Sequence, residues 1–103
     1  PMVEDLAPAD FEALGAWFAS RPTHGHAVDD GELASVGRFV YTRGNPWSGV
    51  AACSGCHGVK ADGNATLPRL AGQHADYTEN QLRQFGKRER TNDNAVMHGI
   101  AAK

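Results

Sequence analysis

Cysteine is scarce in this chain, with two among 103 residues. That excludes a disulfide scaffold and leaves a four-cysteine zinc site without ligands. No apolar run approaches the ~20 residues of a membrane-spanning helix. There is no excess of positive charge: the net charge is −2 and the pI about 6.2, so bulk nucleic-acid binding is not expected. No segment alternates apolar and polar residues as a half-buried strand would. No long repeat, low-complexity tract or leader peptide is recognisable. Proline is an awkward residue after a leader-peptidase cut, so Pro1 does not read as a natural mature start.

What is present suits one small helical domain. Apolar residues make up 41% and charged residues 21%, a globular balance. Residues 7–20 read as a helix, with Pro8 in the first turn and Asp10 and Glu12 near its positive end. Phe11, Leu14 and Phe18 share one face, with Trp17 one turn after Leu14; Arg21-Pro22 ends the helix. Residues 23–31 read as a linker, and Asp29 or Asp30 can cap the next helix, from about Glu32 to Arg43. Leu33, Val36, Gly37, Val40 and Tyr41 form its stripe. Gly37 there suggests a second helix crossing at close range. A third helix is expected from about Ala75 to Gly86, with Tyr77, Gln81, Leu82 and Phe85 on one side. The stretch after the cysteines and the tail carrying Met97 read as loops. Twelve glycines and long loops call for something to pack on.

Charge is uneven along the chain. Residues 1–52 carry seven acids and three bases, and residues 53–103 carry five acids and seven bases. The basic excess lies in Arg83–Arg90, read as a solvated helix end or a site for carboxylates or a docking partner.

The two cysteines fall in Cys53-Ser54-Gly55-Cys56-His57, the attachment signature of c-type haem. Two thiols this far apart span the two vinyl groups on one porphyrin edge. The next residue, His57, then reaches the iron as proximal ligand. Zinc wants a second ligand pair at matching spacing, and His74 and His98 do not supply one. A redox C-x-x-C belongs after a strand in an α/β pattern, which is missing. A disulfide between residues three apart closes too small a loop to stabilise much. For the sixth iron position the candidates are Met97, Met2, His98, His74, His24 and His26. Met97, 40 residues beyond His57 and past the third helix, is the favoured one. His/Met ligation closes the iron and raises its potential, which suits one-electron transfer.

Three strings, CSGCHG, LPRLAGQHADYTENQL and RTNDNAVMHGIAAK, resemble a class I cytochrome c, specifically one module of the diheme cytochrome c4 family. The likeness runs from about Gly31 to Lys103. It implies an all-α class I cytochrome c fold around one haem c, with thioethers at Cys53 and Cys56 and axial His57 and Met97. It implies that the Pro68 carbonyl orients His57 and that Leu70, Gln73, Tyr77, Leu82 and Phe85 lie at the cofactor. Gly37 and Tyr41 match the opening helix. The closing helix of the family is absent after Lys103, and residues 6–20 resemble it instead. The expected organisation is therefore a closing helix over 1–22, a linker over 23–31 and a haem module over 32–103. This order fits a circular permutant, a helix-swapped dimer, or a piece of a chain with a second cytochrome module. The family further implies a bacterial periplasmic carrier without a membrane span, whose partners are redox proteins: a terminal oxidase, or a dehydrogenase such as a flavocytochrome.

Overall fold

The computed structural model describes residues 2–103. Pro1, with the expectation attached to it, lies outside the described residues. Helix α1 spans Pro8–Ala19. Proline at its first position needs no donor, and Asp10 Oδ2 accepts the Ala7 N–H at 2.8 Å, satisfying one free donor. Helix α2 spans Gly31–Arg43, capped by the Asp30 carboxylate on the Leu33 N–H at 3.0 Å. Gly44, at φ 72°, ends it. A two-hydrogen-bond bridge between Asn45 and Val50 then turns the chain, with Trp47 97% exposed at the tip. Helix α3 is one turn, Ser54–His57; α4 spans Ala75–Gly86; α5 spans Val96–Ala101. Beyond the Asn45–Val50 bridge the described residues hold no strand.

Two of these helices differ from the sequence reading. α3 is too short for any periodicity to announce it. α5 replaces the expected loop around Met97. Its six residues include a glycine and two β-branched side chains, so local propensity is weak and tertiary contact makes the helix. α4 and α5 pack on each other, and α2 packs on α3.

α1 packs on none of the other helices. Phe11, Leu14, Trp17 and Phe18 are all exposed. The expected crossing at Gly37 is not within the structure either: a side-chain carbon there would meet nothing within 4 Å. The linker, in contrast, is fastened down. Thr23 Oγ1 accepts from Arg69 at 3.1 Å, His26 Nε2 lies 3.1 Å from the Gly72 carbonyl, and the His26 and His74 rings stand 4.4 Å apart.

The chain builds little core from its own side chains. Among the described residues Phe85 is the one buried large apolar side chain, 8% exposed. The accessible surface is 8359 Å². A compact chain of this mass has about 5,600 Å². The radius of gyration, 15.5 Å, likewise exceeds the roughly 13 Å of a compact chain. α1, which packs on no other helix, contributes to both excesses.

Candidate haem-binding site

Cys53 is the residue before α3, already in helical conformation, and Cys56 and His57 lie within that turn. The His57 N–H donates to the Cys53 carbonyl at 2.9 Å, so residues 53, 56 and 57 share one face at i, i+3 and i+4. Both thiols are free; Cys53 is half-buried and Cys56 exposed. His57 is 7% exposed, the one buried polar side chain among the described residues. Its Nδ1 lies 2.8 Å from the Pro68 carbonyl. A carbonyl only accepts, so Nδ1 carries the proton and Nε2 is the nitrogen left for a metal.

The loop that presents Pro68 is tied at several points. Gly63 N–H donates to the His57 carbonyl at 2.9 Å, and Leu70 and Ala71 N–H both reach the Ala61 carbonyl, at 2.9 and 3.0 Å. The Asn64 side chain accepts from the N–H groups of Thr66 and Leu67. Arg69 ties the outer side, pairing with Asp62 at 2.9 Å and donating to the Ala71 carbonyl at 3.0 Å. Gly63 has φ 68°, and a Cβ there would fall 2.6 Å from both Arg69 N and Pro68 C, besides touching the Leu67 carbonyl oxygen. Only glycine fits that point without moving the Pro68 peptide.

Tyr41 closes the other side, its hydroxyl donating to the Gly58 carbonyl. Burial pushes the Tyr41 phenol above its ordinary 10.0. The amphipathic stripe gave Tyr41 a packing role; its tie to the residue after His57 had no signal in the sequence.

The remaining candidates are spread more widely. Leu70 is half-buried within the tied loop, while Gln73 is exposed and caps the His74 N–H through Oε1 at 2.9 Å. On α4, Phe85 is buried, but Tyr77 and Leu82 are 48% and 43% exposed. Met97 is half-buried on α5. Among its rivals, Met2 is almost wholly exposed, and the His98 ring is tied to the Phe85 carbonyl at 3.0 Å. Arg90 departs from the solvated basic run. Its guanidinium lies 4.7 Å from the Phe85 ring centre and donates to Gln81 and Asn92, whereas Arg83 makes an exposed pair with Glu79.

No cluster of three or more His, Cys, Asp or Glu suited to a metal ion occurs among the described residues. The donors fit haem c instead: two thiols and an oriented imidazole on one turn, amid apolar side chains that bury little against one another.

The cytochrome c family model matches residues 41–101. The chain belongs to the cytochrome c family. Over its whole length this cytochrome is 44% identical to cytochrome c4 of Thiocapsa roseopersicina, covering 55% of that protein. The crystal structure of reduced recombinant cytochrome c4 from Pseudomonas stutzeri superposes on 99% of it with a TM-score of 0.88, at 38% identity and over 55% of that chain. A thiosulfate dehydrogenase electron acceptor of Stutzerimonas stutzeri is 41% identical over 67% of this chain and 32% of its own. The cytochrome is thus homologous to cytochrome c4 and has that all-helical fold, and it spans about half the length of the relatives it matches. No described helix is long and apolar enough to cross a membrane.

Proposed function

We propose that this chain is a one-electron carrier holding one haem c through Cys53 and Cys56, with His57 and Met97 as axial ligands. The observation that carries the reading is the buried His57, with Nδ1 on the Pro68 carbonyl and both thiols on its own turn. The bound haem supplies a reversible one-electron site. The side chains do the rest. The two thiols fix one edge and prevent loss of the group. The Pro68 carbonyl holds the proton on Nδ1, fixing the tautomer and making Nε2 more basic. The Met97 thioether, a soft ligand, would favour the ferrous state and would leave no place for a small ligand. Leu70, Gln73, Tyr77, Leu82 and Phe85 would line the group when it is bound and shield it from water. No side chain needs to gain or lose a proton, so little reorganisation accompanies transfer.

In this reading the carrier is periplasmic, where haem is attached to such motifs, and delivers electrons to a terminal oxidase through a small docking surface. Residues 1–22 are the closing helix of a cytochrome module, serving a second module, and residues 32–103 are the haem module. The unpartnered face of α1 supports that assignment. A second reading, favoured by the likeness to a thiosulfate dehydrogenase electron acceptor, makes the chain the acceptor of a dehydrogenase. Export with a haem-maturation system, followed by intact mass and reduced absorption spectra, tests the core of the proposal. One acid-stable haem per chain is expected; two free thiols in the exported protein would refute it. Stable co-purification with a dehydrogenase selects the second reading.

A further inference from the structure

The helix that carries Met97 is held by two residues that the ligand set leaves without a role. α5 begins after two consecutive residues in left-handed backbone, Asn94 at φ 50° and Ala95 at φ 65°. Asparagine takes that conformation readily, but alanine keeps it only where its surroundings impose it. Asp93 imposes it twice. Its carbonyl accepts the Val96 N–H at 3.0 Å, and its Oδ2 accepts the His98 N–H at 2.8 Å. Burial alone would raise the Asp93 carboxyl, but the N–H groups of His98, Asp93 and Ala95 and the Arg88 cation hold it below its ordinary value.

His98 continues the connection outward. Its ring Nδ1 lies 3.0 Å from the Phe85 carbonyl near the end of α4, and so donates to it. Beside that bond the two helices meet backbone to backbone: a Cβ on Gly86 would lie 3.1 Å from the Ala101 carbonyl oxygen. His98 is therefore bonded at both ends, its N–H to Asp93 and its ring to α4. Met97 sits between Val96, whose N–H is tied to Asp93, and His98.

We propose that Asp93 and His98 are positioning residues for the Met97 thioether, a clamp that fixes the sulfur against the α4 end instead of leaving it on a mobile loop. The inference rests on the reading of Met97 as a ligand. Its chemistry is entropic: a ligand held in place competes better with an exogenous one, because less ordering remains to be done when the bond forms.

The test uses the haem-loaded ferric protein, titrated with imidazole and followed at the long-wavelength charge-transfer band of an iron–thioether bond. His98→Ala is expected to lose the band at about five-fold lower imidazole, the factor carried by one neutral hydrogen bond. His98→Gln, whose amide donates to the same carbonyl, should recover most of that factor. Asp93→Ala should shift the titration in the same direction and gives the answer if His98→Ala loads no haem. Unchanged imidazole affinity in these alanine variants, whatever their unfolding temperature, overturns the clamp. A parent protein with no such band overturns the Met97 assignment itself, and the clamp with it.

Discussion

Gly63→Ala is expected to perturb His57, the proposed iron ligand, without touching it. The new methyl would stand 2.6 Å from Pro68 C and Arg69 N, and the backbone would keep φ near 68°, which costs an L-residue roughly 1–2 kcal/mol. Backbone atoms cannot rotate aside as a side chain can, so the Pro68 peptide must shift. The His57–Pro68 bond, 2.8 Å in the structure, is then stretched or lost. Together the strain and the weakened bond should cost about 2–3 kcal/mol, lowering the unfolding temperature by roughly 10–20 °C in a domain of this size. The electronic effect has a definite sign. Donation from Nδ1 makes Nε2 more basic and favours ferric iron, so its loss raises the reduction potential. One hydrogen bond of about 1 kcal/mol sets a ceiling of roughly 40 mV on that rise, at 59 mV per tenfold for one electron. Spectroelectrochemical titration and thermal unfolding of the haem-loaded protein measure both. Gly25→Ala, where a Cβ meets nothing within 4 Å, is the control. A destabilised Gly63→Ala with an unchanged potential would refute the link from loop to ligand. An unchanged stability would refute the steric argument as well.

Three further outcomes are expected. Tyr41→Phe should cost about 1 kcal/mol at neutral pH through loss of the bond to Gly58. Because burial raises the Tyr41 phenol above 10.0, the unfolded chain ionises first; this stability is whole below pH 10 and declines as pH rises further. Denaturant titrations at several pH values should show the gap between parent and variant narrowing only on the alkaline side. Gly37→Ala, on an open helix face, should stabilise the chain by about 1 kcal/mol; destabilisation would mean that a helix covers α2 in solution. Met97→Leu should lower the potential by a fraction of the roughly 0.8 V that iron ligands span and let the ferrous protein bind carbon monoxide, read by potentiometry and absorption spectra.

The three long helices were legible because each carries its own start and stop chemistry. Pro8 with Asp10 and Arg21-Pro22, the Asp29-Asp30 pair of which Asp30 makes the cap, and the stripe from Tyr77 to Phe85 before Gly86 are local signals. The attachment site was legible for a related reason: covalent chemistry demands Cys53, Cys56 and His57 at one spacing. Hidden from the sequence were features made by distant parts. α5 exists through the Asp93 carboxylate and the end of α4, and no periodicity in six residues announces it. The tie from Tyr41 to Gly58 and the seat of Arg90 on Phe85 depend on packing between segments. Gly37 suggested a neighbour that the structure does not supply, because the apolar pattern of a helix records that a face is to be covered, and not by what.

The linker ties α1 to the loop that carries Pro68. Thr23 accepts from Arg69 and His26 meets the Gly72 carbonyl, while the Ser20 and Arg21 N–H groups still bond to the end of α1. α1, a rod of about 18 Å, therefore leaves the body from a point anchored one residue from Pro68. Lengthening the chain at residues 27–29 would leave that anchor in place. An insertion between Thr23 and His26 would break it, and would take from Arg69 one of the bonds that seat it beside the carbonyl His57 meets.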